Sequence, residues 1–237
     1  MTNTVNPFEV FGASFKKMAE LLKTMHCEKH GAYTSTWAKA PCPTCEAERK
    51  AKDEQESNLN RLIFIKDSAC IPKRYQGITL NDFATDTELN QKHRCRASEY
   101  DCSKNIIMLG SSGTGKTMLA CAIADMLIKQ RKTCLYVKFY QLSKILIEQD
   151  IEKLMHVDFL IIDEVGVGVG KQEEKDLKLI TLFQVIDQRY DNAKPTCLIS
   201  NLTGFELKDL ISTATYSRLK EGCEVWGFSG EDKRIGV

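Results

Sequence analysis

The feature that most constrains the fold is a glycine-rich octapeptide, Gly-Ser-Ser-Gly-Thr-Gly-Lys-Thr, at residues 110–117. An apolar run typical of a buried strand precedes it, and an apolar helical pattern over residues 118–130 follows it. In this setting, glycines let backbone N–H groups surround phosphate oxygens at the N-terminus of a helix. The sequence therefore predicts an α/β domain with a phosphate-binding loop.

The residues of this loop have distinct expected roles. Lys116 is expected to neutralise the β and γ oxygens of ATP, or the β oxygens of ADP, and the Thr117 hydroxyl to ligate Mg²⁺. A second glycine-rich stretch, residues 166–171, lacks the spacing of such a loop and is not interpreted as a second nucleotide site. The candidate nucleotide-binding residues of the loop are Gly110, Ser111, Ser112, Gly113, Thr114, Gly115, Lys116 and Thr117.

An acidic pair follows another buried strand. Asp163 and Glu164 come directly after Phe-Leu-Ile-Ile, and ligands bind at the carboxyl ends of strands in open α/β sheets. Asp163 is expected to hold Mg²⁺ through its water shell, and Glu164 to act as the general base that polarises the attacking water. Together with the loop, this pair predicts ATP hydrolysis.

Apolar runs and helical patterns alternate beyond residue 69, which predicts a parallel sheet with helices on both faces. The predicted strands are residues 105–109, 134–138, 158–162 and 196–200. Asn201 follows the last of them. It can reach the γ-phosphate or the attacking water if that strand lies between the strand before the glycine-rich loop and the strand before the acidic pair. Its alternative role is that of a turn residue. Arg218 and Arg234 are candidates for charge stabilisation at the phosphates.

Two short pairs of possible metal ligands lie near the N-terminus. Cys27 and His30 are followed, after eleven residues, by Cys42 and Cys45. This spacing predicts a structural Cys₃His zinc site, with His26 as an alternative nitrogen ligand.

Two domains are predicted, residues 1–68 and residues 69–237. A helix that begins at Asn6 has an apolar seam, which packs either on its own domain or on another protein. A charged helical connector over residues 46–66 leads to Ile-Pro-Lys-Arg-Tyr at 71–75, where the helical pattern breaks. The seam consists of Phe8, Phe11, Phe15, Met18, Leu22 and Met25.

Charge and hydropathy restrict the class of protein. The formal net charge is only +1, so any nucleic-acid contact must come from local clusters rather than from a globally basic surface. The basic clusters at 91–96 and 129–132 are candidates for such contacts, but ordinary solvated surface is the favoured interpretation. We expect a soluble, cytoplasmic protein without membrane association, because the sequence shows neither a signal peptide nor an apolar run that could span a bilayer.

These motifs resemble those of bacterial and phage DnaC-type helicase loaders, which are AAA+ ATPases related to DnaA and to the IstB transposition ATPases. The resemblance rests on the loop at 110–117, Asp-Phe-Leu-Ile-Ile-Asp-Glu-Val-Gly at 158–166, Ile-Ser-Asn at 199–201, Ser-Arg-Leu at 217–219 and the segment at 71–75. It implies an AAA+ P-loop core with a parallel sheet and a small N-terminal helical and zinc-binding domain.

The resemblance also implies roles and partners. Asn201 looks like sensor 1, Arg218 like an arginine finger that reaches the ATP of a neighbouring protomer, and Arg234 like a sensor 2 residue. The segment at 71–75 is expected to flank the adenine, and the N-terminal domain to hold the helicase. The implied function is to place the hexameric replicative helicase on single-stranded DNA. The alternatives are an IstB-like regulator of transposition on duplex DNA, and a binding module with a degenerate ATPase site, against which the intact loop and acidic pair argue.

Overall fold

The computed structural model describes residues 22–37, 39–148, 150–167 and 171–233. The chain divides into two compact units, the first ending at Asn60 and the second beginning at Arg61. This division falls inside the helix Pro43–Ser68. The sequence instead predicts a domain boundary between residues 68 and 69, which stays a prediction.

The first unit contains a β-hairpin and most of a long helix. Strand β1 (Lys23–Cys27) pairs antiparallel with β2 (Gly31–Ser35), and helix α1 (Pro43–Ser68) follows. Proline suits the first helical position, where its missing N–H has no intrahelical partner. The apolar seam up to residue 21 lies outside the described residues. Its extension to Met25 as a helix is wrong, because Met25 pairs with Tyr33 in the hairpin.

The second unit is an α/β fold. Among its described residues are the strands β3 (Ile106–Gly110), β4 (Cys134–Lys138), β5 (Phe159–Val165), β6 (Thr196–Ser200) and β7 (Glu224–Phe228). They form one parallel sheet in the order β4, β5, β6, β3 and β7. The first four confirm the predicted strands, and β7 is an edge strand that the sequence analysis missed.

Helices cover both faces of this sheet. They are α2 (Glu88–Ser98), α3 (Lys116–Lys129), α4 (Leu142–Ile147), α5 (Ile151–His156), α6 (Gln172–Asp191), α7 (Gly204–Leu210) and α8 (Thr213–Lys220). In the described part of this unit, 3-10 turns occupy Lys73–Tyr75, Leu80–Asp82 and Phe139–Gln141.

Two apolar clusters, one on each face, hold the sheet and helices together. Side chains alternate along a strand, so Ile106 and Met108 join the cluster that contains the apolar residues of α3, and Ile107 joins the one that contains those of α6. The strands are thus buried on both faces, which explains why they are continuous apolar runs in the sequence.

A buried arginine fixes the N-terminal ends of β5 and β6. Arg189 of α6 is 1% exposed, and its guanidinium donates to the carbonyls of Leu154, Val157 and Pro195 and to the Thr196 hydroxyl, at 2.6 to 3.0 Å. Burial lowers the pKa of Arg189 to about 10, so the group stays charged at neutral pH. By anchoring the N-terminal ends, Arg189 also helps to align the carboxyl ends of these strands.

Asp158 makes a second link between strands at this edge. Its carboxylate accepts hydrogen bonds from the Thr133 backbone N–H and hydroxyl, at 2.9 and 2.8 Å, and from Lys194 Nζ at 2.7 Å. Desolvation opposes ionisation, but the bonds from Lys194 and Thr133 outweigh it and lower the pKa of Asp158 to about 2. The carboxylate therefore stabilises the fold above its unfolded pKa of 3.8, and this contribution is lost as the pH falls through about 2.

Replacing Asp158 with Asn is expected to lower the free energy of unfolding by about 1 kcal/mol at pH 7, a value reduced for solvent screening of a partly exposed pair. Urea unfolding of both proteins measures the difference, which should persist above about pH 4 and shrink as the pH falls further. Asp209→Asn, at an exposed position, is the control and should change stability by less than about 0.5 kcal/mol. Equal stability of wild type and Asp158→Asn at pH 7 would contradict the assignment.

Candidate nucleotide site and Cys/His cluster

The glycine-rich loop connects β3 to α3, as the sequence predicts. Gly110 has φ +143°, and a Cβ there would overlap the Phe228 carbonyl oxygen of the neighbouring strand β7. Gly115 precedes the first helical residue with φ +95°, and a Cβ would lie 3.0 Å from the Phe83 ring. Only glycine combines these positive φ angles with so close an approach, so the tertiary packing requires two of the loop glycines.

Lys116 points into the loop. Its side chain is buried, and Nζ donates to the carbonyls of Gly110 at 2.7 Å and Ser111 at 2.6 Å. The ammonium group is thus held by backbone oxygens next to the N-terminus of α3, where phosphate oxygens are favoured.

Thr117 and Asp163 meet across the loop. Thr117 Oγ1 donates to Asp163 Oδ2 at 2.8 Å, and the Tyr136 hydroxyl donates to the same oxygen at 2.8 Å. Asp163 is 3% exposed, so these bonds fix a buried carboxylate. The adjoining hydroxyl and carboxylate oxygens are the ligand type that Mg²⁺ prefers, and they fit the predicted magnesium site.

Glu164 has an unusual backbone conformation. Its φ is +58°, and the pairing of β5 with β6 shifts register between Ile162 and Val165. Positive φ is uncommon for a non-glycine residue and clusters at functional sites. The Glu164 carboxylate accepts a hydrogen bond from Lys138 Nζ at 2.9 Å, and this bond raises the pKa of Lys138.

These side chains line one cleft of about 350 Å³. Asn201 lies in it, because β6 runs between β5 and β3, which is the condition that the sequence left open. Pro72, Arg74 and Tyr75 line it too, so the segment at 71–75 lies at this cleft, and its position beside the adenine stays a prediction. The structure thus brings together Lys116, Thr117, Asp163, Glu164 and Asn201.

The N-terminal cysteines and histidine also converge. The ligand atoms of Cys27, His30, Cys42 and Cys45 all lie within 4.8 Å of one another. His30 Nδ1 is 3.3 Å from Cys45 Sγ, 3.7 Å from Cys42 Sγ and 3.8 Å from Cys27 Sγ, and the Sγ atoms of Cys27 and Cys45 are 3.5 Å apart. Exposed His26 is not part of this group.

The geometry of the cluster fits a tetrahedral zinc ion. Zn–S bonds of about 2.3 Å and Zn–N bonds of about 2.0–2.1 Å imply ligand separations of about 3.5–3.8 Å in a tetrahedron. Backbone N–H groups of His30 and Lys29 lower the pKa of Cys27, and that of Cys45 lowers the pKa of Cys42. The hydrogen bond with Cys27, followed by burial, raises the pKa of Cys45 to about 11. A cation would relieve the crowding of thiolates.

Comparison with known proteins identifies the family. Residues 68–235 match the family of IstB-like ATP binding proteins. The chain belongs to the IstB/DnaC family of AAA+ proteins. The Cys/His cluster lies outside the matched residues. No helix in the described ranges is long and apolar enough to cross a membrane.

Several curated relatives carry the name Replicative helicase loader DnaC. The Replicative helicase loader DnaC of Escherichia coli (strain K12) is 25% identical over 193 residues, which cover 75% of this chain and 77% of that protein. The Replicative helicase loader DnaC of Buchnera aphidicola subsp. Acyrthosiphon pisum is 31% identical over 188 residues, covering 73% and 75%.

Solved structures confirm the fold. DnaI is similar with a TM-score of 0.57 and 20% identity, over 70% of this chain and 95% of that one. The DnaC helicase loader has a TM-score of 0.56 and 18% identity, over 67% of this chain and 100% of that one. These likenesses confirm the predicted AAA+ α/β fold.

Of the two predicted arginines, Arg218 lies apart from the site. Arg218 of α8 is not among the residues that line the cleft, and its Nε donates to Asp187 Oδ1 at 2.7 Å. Its guanidinium lies 5.6 Å from the centre of the Phe183 ring. Arg234 lies outside the described residues, but Lys233 lines the cleft, donates its N–H to the Gly113 carbonyl at 3.2 Å and pairs with Asp86.

The cleft is also lined by three residues that no sequence motif predicted, Tyr136, Lys138 and Lys233. Lys138 ends β4 directly opposite Asp163 in the parallel register. The polar residues Tyr136 and Lys138 in an otherwise apolar strand are the signal that could have identified both. The signal becomes informative only once β4 is known to lie next to β5. Lys233 has no comparable pattern around it.

Proposed function

We propose that this protein is an ATP-dependent loader that binds the hexameric replicative DNA helicase and delivers it to single-stranded DNA. The proposal is supported by one cleft lined by Lys116, Thr117, Asp163, Glu164 and Asn201, in a member of the IstB/DnaC family that has relatives named replicative helicase loaders. Membership supports ATP binding, and the cleft residues support hydrolysis.

The cleft residues support separate roles in hydrolysis: phosphate binding, Mg²⁺ binding and activation of the attacking water. Lys116 and the loop N–H groups hold the phosphates. Thr117 and Asp163 would hold Mg²⁺, which when bound would supply positive charge to the transferred phosphoryl group. Glu164 takes a proton from the attacking water, and Asn201 orients that water or the γ-phosphate. Lys138 holds the Glu164 carboxylate in the cleft before nucleotide binds.

Arg218 supports self-association. It lies outside the cleft of its own chain among the described residues, and Asp187 and Phe183 hold its guanidinium at a partly exposed position. An arginine held in this way can reach the phosphates of a neighbouring protomer, which makes hydrolysis depend on assembly. Arg234 is retained as a second proposed phosphate contact, supported by the position of Lys233 in the cleft.

The N-terminal region supports the interaction with the helicase. We assign Cys27, His30, Cys42 and Cys45 to one structural zinc ion, which stabilises the short hairpin. Residues 1–68, with the part of the apolar seam from Phe8 to Leu22 ahead of the hairpin, are the proposed helicase-binding domain, and residues 69–237 the ATPase domain.

Size-exclusion chromatography with the replicative helicase of the host, with and without ATP, tests the proposal. The full chain is expected to co-elute with the helicase hexamer, because the N-terminal domain supplies the contact. A chain lacking residues 1–68 should still bind nucleotide but elute separately. A full chain that never co-elutes would contradict the helicase-loader proposal, and a truncated chain that still co-elutes would contradict the assignment of the contact to residues 1–68.

The second candidate function is that of an ATPase regulating DNA transposition, which the IstB-like family description favours. Such a protein is expected to prefer duplex over single-stranded DNA and to have no affinity for the helicase. Filter-binding assays with DNA duplexes and single strands of the same length separate the two functions.

A further inference from the structure

His30 presents its two ring nitrogens to different partners. Nδ1 faces the three sulfur atoms of the Cys/His cluster, at 3.3 to 3.8 Å, and Nε2 lies 3.1 Å from Glu48 Oε1. A neutral imidazole carries one N–H, so binding a metal through Nδ1 leaves the hydrogen on Nε2. Glu48 is in the position to accept it.

The fold places Glu48 there for a local reason. Glu48 follows Cys45 by three residues in α1, so one turn of the helix presents the thiol and the carboxylate on the same side. Lys29, in the turn between Cys27 and His30, also donates to the Glu48 carboxylate. Hydrogen bonds from His30 and Lys29 to the Glu48 carboxylate therefore join the hairpin turn to the helix, in addition to the contacts among the three sulfur atoms and His30 Nδ1.

We propose that Glu48 is a positioning residue of the metal site: it holds His30 with Nδ1 directed at the metal, and Lys29 holds Glu48. This inference rests on the proposed zinc site. A carboxylate that accepts the second N–H of a ligating histidine fixes the ring and raises its basicity, and loss of such a partner typically weakens metal binding by about 10–100-fold.

Chelator competition on the full chain tests the role of Glu48. Glu48→Ala is expected to weaken zinc binding by about 10–100-fold, and Glu48→Gln, which keeps an acceptor oxygen but loses the charge, by less. Glu46→Ala is the matched control. Glu46 lies on the same helix beside Cys45, and its replacement removes an ion pair with Lys50 but no contact with His30. The control should stay within about threefold of wild type.

A spectroscopic measurement separates positioning from general stability. Nitrogen NMR of the zinc-loaded protein is expected to show metal-bound Nδ1 and protonated Nε2 for His30 in wild type and in Glu46→Ala. Metal bound through Nε2, or equal zinc affinity in wild type and Glu48→Ala, would overturn the role of Glu48 while leaving the zinc site intact. A wild-type chain that takes up no stoichiometric zinc would instead remove the zinc site, and Glu48 with it.

Discussion

Glu164→Gln is expected to slow ATP hydrolysis by at least about a hundredfold while ATP binding is retained. Glutamine has the shape of glutamate and can still accept the hydrogen bond from Lys138, but it cannot take a proton from water. A hundredfold loss corresponds to about 2.7 kcal/mol of transition-state stabilisation. Phosphate release at saturating ATP, at one fixed protein concentration, measures the rate, and a fluorescent non-hydrolysable ATP analogue measures binding.

The control for Glu164→Gln is the same substitution at another glutamate that pairs with a lysine, Glu148. Glu148 directly follows α4 and pairs with Lys144 at 3.5 Å, both residues are exposed, and Glu148 does not line the cleft. Glu148→Gln should therefore hydrolyse ATP at the wild-type rate. Unchanged turnover in Glu164→Gln would refute its assignment as the general base, and loss of analogue binding would mean that Glu164 holds the nucleotide rather than activating water.

Cys42→Ser is expected to abolish stoichiometric zinc binding, from about one zinc ion per purified wild-type chain to nearly none. The remaining three ligands leave one position of the tetrahedron open, and serine is a poor ligand beside thiolates. The hairpin should then become sensitive to protease, because a small segment with little apolar core depends on its metal for stability. Metal analysis and limited proteolysis measure the two effects.

Cys95→Ser provides the comparison, because Cys95 is an exposed cysteine of α2 outside the cluster. The Cys95→Ser protein should bind about one zinc ion per chain, like wild type. Nucleotide binding should survive in both variants, because the residues that line the cleft belong to the second compact unit. Equal zinc contents in Cys42→Ser and wild type would remove Cys42 from the site.

Much of the fold and of the candidate site could be predicted from local sequence patterns. Strands β4 and β6 match their predicted bounds, because strands buried on both faces are continuous apolar runs. Strand β7 was missed, since its residues alternate between buried and exposed and include a glycine, as suits an edge. Met25 was assigned to a helix because its spacing continued an apolar seam, but pairing with β2 places it in a strand.

The sequence by itself determined the chemical groups of the two sites. Spacing within one loop or one turn sets which residues can act together, so the glycine-rich octapeptide, the acidic pair and the two short ligand pairs could be identified without coordinates. Tertiary structure alone decided how these groups meet residues far along the chain. The order of the strands brings Lys138 to Glu164 and Tyr136 to Asp163, and the folding of α1 against the hairpin brings Glu48 to His30. Such contacts depend on which helices and strands become neighbours. The packing of apolar surface over the whole domain decides this, and no local sequence pattern does.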